Sequence, residues 1–490
     1  MRAKGCLRFA WCVLLFSNLA ACQALRAGAA RAVITPEVAG HTVYLAGFGH
    51  NRIATGVHDD LSVRCLALAD GSGSVTLCSA DLIGLFYADV KKIRELFAAD
   101  ASPNSWLIVA CSHVHEGPDT LGLWGPSPAQ SGTDPAYLDW VERRIASTAA
   151  EAVHSMRPAR LEFARDDHPL LGQLQSVDRP PYVHDPYLFV LRVTDPSTGA
   201  PIATLVNWSD HPETLGRANT EISADYPHWL RDRLEGQLGG MTIFFNGAIG
   251  KVSSLGSDVA LQDPDTGGLA GDGTWKKAEV LGTLLGKLVE RALKSSNHAD
   301  IQRIRIAHST VFVPLENDRF RAAIGSGVFS NRRPLYTNGK LDSLTERRKV
   351  GEAGEPAIPV GREVETEVDY IQLRSRSTVV AEIAAVPGEI YPELVNGGIS
   401  RYDGADYRDA AFEPVLRQGL HSRYQFVFGL ANDELGYLIP KAEWDSEPPW
   451  LQNRARPWYG EINSLGPSAA FAVMNAFENM ITKLSGPTKP

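Results

Sequence analysis

Several features that define protein classes are missing from this sequence of 490 residues. No run or stripe of basic residues is visible, and the formal net charge is −9, so nucleic acid is disfavoured as a partner. No fixed period of repetition is visible. No stretch rich in Pro, Ser or charge divides the chain in two. The sequence therefore predicts no nucleic-acid partner and no obvious domain boundary.

Cysteine is scarce. Beyond the amino-terminal segment, it occurs only at Cys65, Cys78 and Cys111. Each of the three lies in an apolar run, which is typical of a small buried hydrophobe. An odd number allows at most one disulfide within the chain. The pattern indicates no thiol chemistry.

The residues that are present have the composition of an ordinary globular protein. Hydrophobic residues make up 44% of the chain and charged residues 21%, which argues against a disordered chain. The 44 glycines and 30 prolines indicate many turns and long connections around a mixed core.

The first residues have the pattern of an export signal. Three basic residues, the last of which is Arg8, precede an apolar stretch from Phe9 to Leu19 that is too short to span a bilayer comfortably. Residues 19–22, Leu-Ala-Ala-Cys, are typical of a bacterial lipobox, so we expect residues 1–21 to be removed and Cys22 to carry a lipid. An ordinary cleavable signal is the alternative. The sequence predicts an exported lipoprotein anchored at the periplasmic or cell-surface side of a membrane, or otherwise a secreted protein.

Short β-type runs and amphipathic segments alternate through the rest of the chain. This alternation predicts an α/β fold of mixed α+β layers. Residues 22–490 are expected to form a single domain, with two closely packed subdomains as the alternative at this size. Residues 316–364 are polar and rich in Gly and Pro, which indicates an insertion or lid over a site, or a solvated excursion.

Two histidines, His113 and His115, follow the apolar run "SWLIVAC" with one residue between them. On an extended segment, side chains at i and i+2 point to the same face, so both imidazoles can address one point in space. Neutral imidazole is a good zinc ligand, although a pair of surface histidines fits the spacing equally well. A metallo-β-lactamase site would continue with an aspartate and a third histidine. The sequence continues instead with Glu-Gly-Pro-Asp, which disfavours that family.

Two more polar side chains follow apolar runs in the same way. His211 ends the segment "ATLVNWSDH", and Glu389 follows "VVAEIAAVPG". Taken alone, each fits an ordinary loop residue. Three candidate ligands at three strand ends favour a shared site, because active sites gather where strand ends meet loops.

The sequence resembles the catalytic domain of the neutral/alkaline (non-lysosomal) ceramidases, zinc amidases that cleave the N-acyl bond of ceramide. The resemblance preserves the order of the motifs and covers nearly the whole mature chain. It is carried by "GVHDDLSVRCLAL", "CSHVHEGPD", "NWSDHPETLG", "PGEIYPEL", "LANDELGYLIPKAEWD" and "WYGEINSLGPSAA". It implies the mixed α/β fold of that domain. The family continues into an immunoglobulin-like domain, which we do not expect in this chain.

The resemblance also implies site residues. His115 becomes a group that supports a ligand or the transition state, and Ser253 becomes the active-site serine. Taken alone, Tyr437 is typical of a strand aromatic. One Zn²⁺ per chain is implied, with the ligands His113, His211, Glu389 and Tyr437.

The loop around Ser253 departs from the family pattern Gly-Asp-Val-Ser-Pro. Here Lys251 replaces the acid and Ser254 replaces the proline. Because of this loop and the missing domain, the implied substrate is a ceramide-like or other N-acylated lipid rather than ceramide alone.

The implied function is a zinc-dependent amidohydrolase, in which a metal-bound water attacks the N-acyl amide bond. His115 or Glu116 would protonate the leaving amine. Asp210 or Asp119 would orient a ligand imidazole, with loop capping the simpler role for Asp119. Residues 121–125, "LGLWG", would line an acyl pocket or belong to an ordinary core.

Two alternatives stay open from the sequence. One is a zinc-dependent esterase, lactonase or deacylase that acts on a non-sphingolipid substrate. The other is a lipid-anchored binding homologue without turnover. The expected partners are an N-acylated lipid or amphiphilic small molecule and, through the lipid anchor, a membrane surface.

Overall fold

A computed structural model of the chain describes residues 25–101, 104–254, 260–330, 332–342 and 362–485. The predicted signal peptide, the lipobox and Cys22 lie outside the described residues. Residues 343–361 of the predicted insertion lie outside them as well.

The first of three mixed sheets has its strands, numbered along the chain, at β1 (Arg26–Val33), β3 (Ser62–Ala69), β4 (Ser74–Ala80), β5 (Ser105–Cys111) and β6 (Arg157–Pro158). Their order across the sheet is β5-β4-β3-β1-β6. Only β4 and β5 pair in parallel. Cys65 and Cys78 are partners on β3 and β4 and form a disulfide, whereas Cys111 is free and buried.

The second sheet consists of β7 (Arg160–Asp166), β9 (Leu188–Thr194), β10 (Pro201–Trp208), β12 (Met241–Asn246) and β16 (Asn297–Ala299). Their order is β12-β10-β9-β7-β16, and only β10 and β12 pair in parallel. This sheet therefore repeats the arrangement of the first, with a parallel pair at one edge.

The third sheet consists of β17 (Arg303–Pro314), β18 (Leu335–Thr337), β19 (Lys340–Leu341), β20 (Glu363–Ser375), β21 (Thr378–Ala385) and β23 (Tyr424–Phe428). The order is β19-β18-β20-β21-β23, and β17 pairs with β20 along its whole length. The parallel pair is again at an edge, between β21 and β23.

Four two-stranded ribbons complete the strands: β2 (Gly56–Val57) with β11 (Glu221–Ile222), β8 (Gln175–Val177) with β13 (Val252–Ser254), β14 (Leu261–Gln262) with β15 (Leu269–Ala270), and β22 (Glu389–Ile390) with β24 (Tyr437–Leu438). The described helices up to residue 326 are α1 (Tyr87–Ala98), α2 (Pro135–His154), α3 (Pro169–Gln173), α4 (Tyr226–Leu238), α5 (Trp275–Leu293) and α6 (Asp318–Ser326). Later helices span Pro392–Asn396, Leu416–Gly419, Tyr459–Ile462 and Ala469–Ser485, and 3-10 turns span Lys441–Glu443 and Leu451–Asn453.

Each sheet has one face toward helices and the other toward a core that all three sheets share. Helix α2 packs on the first sheet, α4 and α5 on the second, and Ala469–Ser485 on the third. On the strand β3, Val63 and Cys65 face the helices, whereas Leu66 and Leu68 enter the shared core. This arrangement follows from the two-residue period of a strand. It confirms the predicted mixed α/β fold.

Local signals at the helix ends agree with the sequence patterns. Asp134 accepts hydrogen bonds from the backbone N–H groups of Ala136 and Tyr137 and so caps α2, whose first residue is Pro135. Helix α4 ends before Gly239, whose positive φ of 67° suits glycine. Among the described residues, no helix combines the length and apolar character needed to cross a membrane.

Three buried asparagines join the three sheets near the ends of their parallel strands. Asn207 of β10 both donates to and accepts from the backbone of Val427 on β23, at 2.8 and 2.9 Å. Asn246 at the end of β12 donates to the Ser112 carbonyl just after β5, at 3.0 Å. Asn432 accepts from the Val109 N–H of β5, at 3.2 Å. Each sheet is thereby hydrogen-bonded to the other two.

We expect Asn246→Ala to lower the free energy of unfolding by about 2–5 kcal/mol, because it leaves buried backbone groups without partners. The measurement is the urea midpoint of unfolding. Asn104→Ala, at an exposed position, is the control and is expected to change the free energy by less than about 0.5 kcal/mol. Equal midpoints for the two variants would show that the amide does not hold the sheets together.

Candidate metal centre

The candidate ligands follow the parallel strand pairs of all three sheets. His113 lies two residues after β5, and His211 lies three residues after β10. Glu389 and Tyr437 follow β21 and β23 and are register partners in the ribbon of β22 and β24. Residues from distant parts of the chain therefore meet at the edge where the three sheets are joined.

The three histidine rings surround one point. The ring centroids of His113 and His211 are 5.0 Å apart, and those of His115 lie 5.2 and 5.5 Å from them. One nitrogen from each ring lies within 4.8 Å of the others, and all three residues are buried. The cluster is thus small enough for one metal ion.

Glu389 closes the cluster from the ribbon of β22 and β24. Its Oε2 lies 3.2 Å from His211 Nε2, and its Oε1 lies 3.7 Å from His113 Nε2. Tyr437 is the register partner of Glu389, and its phenol lies near the same carboxylate. The structure therefore brings together His113, His211, Glu389 and Tyr437, with His115 beside them.

Backbone carbonyls orient two of the imidazoles. His113 Nδ1 donates to the Ile83 carbonyl at 2.7 Å, and His211 Nδ1 donates to the Val252 carbonyl. The Nε2 lone pairs are then free to face the cluster, which is the orientation that a metal ligand needs. His113 adopts a left-handed backbone with φ of 67°, a conformation that costs a non-glycine residue about 1–2 kcal/mol.

The expectation that Asp210 or Asp119 orients a ligand imidazole is wrong. Asp119 instead accepts hydrogen bonds from the N–H groups of Leu121, Gly122 and Trp124, which is the predicted loop capping. The carboxylate oxygens of Asp210 are buried and have no hydrogen-bond partner among the described residues. A sequence pattern of acidic neighbours does not reveal carbonyls that approach from other segments.

Burial and neighbouring charge act in opposite directions on the histidines. Burial lowers the pKa of His113 to about 4, despite the attraction of Glu389. Burial also disfavours the charged form of His211, but the hydrogen bond with Glu389 and the charge of Glu213 outweigh it and raise the pKa of His211 to about 9. The Glu389 carboxylate therefore favours a positive charge at this point in the fold.

The donor set fits zinc. Two imidazoles, a carboxylate and a phenol supply nitrogen and oxygen donors, and His115 offers a third imidazole in place of an oxygen donor. Both sets include His113 and His211, so these two residues are the firmest candidates to hold the ion.

A cavity of about 770 Å³ lies over the cluster. Apolar wall residues come from the loop after His115 and from the region of α6: Leu121, Leu123, Trp124, Phe320, Ile324 and Phe329. The described part of the predicted insertion therefore forms one side of the cavity. The "LGLWG" segment lines it as well, rather than lying wholly in the core.

Ser253 also lines the cavity, where its Oγ donates to Asp178 Oδ2 at 2.7 Å. Lys251 has a different environment from the acid that it replaces in the family pattern. Its Nζ donates to the Glu393 carboxylate and the Pro181 carbonyl, and both charged side chains are buried. This departure is a buried ion pair in the wall of the cavity.

Sequence reasoning missed some cavity residues and proposed one that does not reach the cavity. Glu213 and Tyr459 line the cavity, and Glu213 stands only two residues after His211, a spacing that could have identified it. Glu116 is absent from the described lining, and its carboxyl lies near Asp225 and Arg52. Glu116 is therefore not placed to protonate a leaving amine directly.

The fold of this chain is similar to that of solved ceramidase structures. A ceramidase in complex with C2 superposes with a TM-score of 0.65 at 14% identity, over 94% of this chain and 75% of that chain. The neutral ceramidase from Pseudomonas aeruginosa superposes with a TM-score of 0.62 at 15% identity, over 94% of this chain and 74% of that chain. No family model and no curated protein match the sequence. The chain thus has the predicted fold of the neutral ceramidases.

We expect about one zinc per wild-type chain and none in His211→Ala, because that ring is common to both donor sets. Inductively coupled plasma mass spectrometry measures the metal, and circular dichroism checks the fold. His115→Ala separates the sets: zinc is kept if Glu389 and Tyr437 are ligands and lost if three histidines are. His154→Ala, at the exposed end of α2, is the control. Zinc retained by His211→Ala would contradict the site.

Proposed function

We propose that this chain is a zinc-dependent amidohydrolase that cleaves the N-acyl amide bond of a ceramide-like or other N-acylated lipid. The observation that carries the proposal is the meeting of His113, His211, Glu389 and Tyr437 beside a cavity with apolar walls. The shared fold supports it, and one similar structure is a ceramidase in complex with C2.

His113, His211, Glu389 and Tyr437 would hold the zinc ion. When bound, zinc supplies a Lewis acid that activates water and polarises the amide carbonyl. His115 lines the cavity with its ring beside that of His113, and its Nε2 would take up the proton that the attacking water loses and deliver it to the nitrogen of the leaving amine. His115, rather than Glu116, is therefore the proposed acid for the leaving amine.

The apolar walls would hold the acyl chain. Phe329 contacts both Phe86 and Phe320 edge to face, with ring centroids 5.2 and 5.9 Å away. They belong to the same apolar cluster as Leu121 and Ile324. A hydrocarbon chain placed against these side chains leaves water, and each buried methylene is worth about 0.8 kcal/mol. The acyl group would then present its amide to His115 and the ligands.

The test is hydrolysis of fluorogenic N-acyl-sphingosines with acyl chains of different length by the zinc-loaded protein. We expect cleavage of the amide and a loss of at least about 10³-fold in kcat/KM in His211→Ala, because the metal is lost. Leu123→Trp narrows the cavity at its apolar wall. It is expected to reduce kcat/KM for a long acyl chain about tenfold more than for an acetyl group.

Leu269→Trp is the matched control, because Leu269 is 75% exposed and does not line the cavity. It is expected to leave the ratio between long and short chains unchanged. An equal effect of Leu123→Trp on both chain lengths would show that the acyl chain does not bind against this wall. Cleavage of the corresponding esters without cleavage of amides would replace the amidohydrolase with the esterase, and zinc binding without either activity would favour a binding homologue.

We also propose that the mature protein is exported and anchored through Cys22. The support is the order of features at the amino terminus: basic residues come first, then an apolar stretch, then Leu-Ala-Ala-Cys. In a bacterial host, the wild type is expected in the membrane fraction, and Cys22→Ala in the soluble exported fraction. Cys111→Ala, which changes a buried cysteine, is the control. Wild-type protein that leaves the membrane at low concentrations of salt would contradict the lipid anchor.

A further inference from the structure

The packing around His115 fixes its ring but leaves one nitrogen without a partner. A Cβ at Gly47 would lie 2.4 Å from His115 Cγ, so the backbone of residue 47 lies directly against the ring. Phe48 meets the ring edge to face at 4.8 Å, and Arg52 donates to the His115 carbonyl. A Cβ at Gly47 would also lie 2.6 Å from Nδ1, so the close approach of residue 47 includes that nitrogen but gives it no hydrogen bond. His115 Nδ1 itself is buried and has no hydrogen bond among the described residues.

Glu213 is the acidic side chain closest to that nitrogen in the described structure. Its Oε2 lies 3.3 Å from His115 Nδ1. Two backbone hydrogen bonds hold the segments in place: the His115 N–H donates to the Pro212 carbonyl at 3.1 Å, and the Glu213 N–H donates to the His211 carbonyl at 3.0 Å. The backbone N–H of Ser254 lies near the same carboxylate. A small rotation of either side chain would complete the bond with His115.

The partner of His115 differs in kind from those of the other two histidines. His113 and His211 donate from Nδ1 to neutral carbonyls, whereas the group facing Nδ1 of His115 is a carboxylate. An anionic acceptor holds the Nδ1–H tautomer more strongly than a carbonyl and directs the opposite nitrogen away from itself. This contrast does not depend on whether His115 is a ligand or an acid.

Other carboxylates near His115 have different partners. Glu116 is the next residue in sequence, but its carboxyl lies near Asp225 and Arg52. Glu389 is engaged with His211 and Tyr437. The Glu213 side chain is 18% exposed and lines the cavity, so it lies on the side of His115 where a substrate would react. Glu213 is not a ligand in either donor set.

We propose that Glu213 is a positioning residue that holds His115 through Nδ1 and turns Nε2 toward the scissile amide. The purpose of this orientation rests on the proposed function. The orientation itself is a property of the folded chain. Glu213 acts only through His115 and does not touch the substrate's reacting atoms.

The first experiment needs no turnover. In protein labelled with ¹⁵N-histidine and assigned with His115→Gln, we expect the nitrogen shifts of His115 to show the Nδ1–H tautomer. Glu213→Ala is expected to move His115 toward the Nε2–H tautomer, while His113 keeps its shifts. Glu221→Ala, eight residues along the same segment and outside the cavity lining, is the control. An unchanged His115 tautomer in Glu213→Ala would overturn the proposal.

The second experiment is a double-mutant cycle on hydrolysis of an activated ester with the same acyl chain, so that weak variants stay measurable. Glu213→Ala is expected to lower kcat about 10–100-fold with KM within about twofold, and Glu213→Gln to restore part of the loss. In the His115→Ala background, Glu213→Ala is expected to cost less than about twofold. An equal loss in both backgrounds would overturn the proposal.

The two experiments separate the possible failures. If no amide or ester is cleaved but the tautomer of His115 follows Glu213, the proposed function fails and the positioning role stands. If amides are cleaved and neither the tautomer nor the cycle responds to Glu213, the positioning role fails and the proposed function stands.

Discussion

The hydrogen bonds of three buried asparagine side chains are the constraint on which the site depends. Strands of different sheets cannot pair along their lengths, so backbone groups at their ends need other partners. Asn207, Asn246 and Asn432 provide these partners and fix the three sheets at one level. The candidate ligands lie only a few residues beyond, so their separation is set by this junction rather than by the loops that carry them.

Burial then determines how these residues can behave. A cluster of histidines removed from water disfavours positive charge, and the pKa of His113 is lowered accordingly. Glu389 brings one negative charge to the same point and is engaged with His211 and Tyr437. Glu389 thus favours one positive charge at this point, which a metal cation would supply, over three protonated rings. The left-handed backbone of His113 is a further cost that the surrounding packing sustains.

Much of the secondary structure could be predicted from local patterns, because period and capping act over a few residues. The strands β5, β10 and β21 coincide with the apolar runs that precede His113, His211 and Glu389. The long strand β17 was not predicted, since its residues alternate only weakly in burial and several are charged. The grouping of strands into three sheets depends on contacts between distant segments, which no local pattern contains.

The candidate site likewise has one part that local sequence patterns predict and another that depends on contacts between distant segments. His113, His211 and Glu389 could be identified because each follows an apolar run, whereas Tyr437 was implied only by the family resemblance. The partners of the imidazoles could not be identified, because the carbonyls of Ile83 and Val252 leave no trace in side-chain chemistry. The pairing of Cys65 with Cys78 likewise depends on the register of β3 and β4.

The candidate ligands and the apolar wall residues lie in different segments of the chain. This separation has an evolutionary consequence. The candidate ligands stand at the junction of the sheets, where almost any change disturbs the core. The apolar walls come from α6 and the loop of residues 121–125, which contribute no candidate ligand. Mutations in these segments can reshape the cavity while the candidate ligands stay in place. A lineage with this architecture can therefore diversify the molecules it accepts by drift in two short stretches, with its chemistry inherited unchanged.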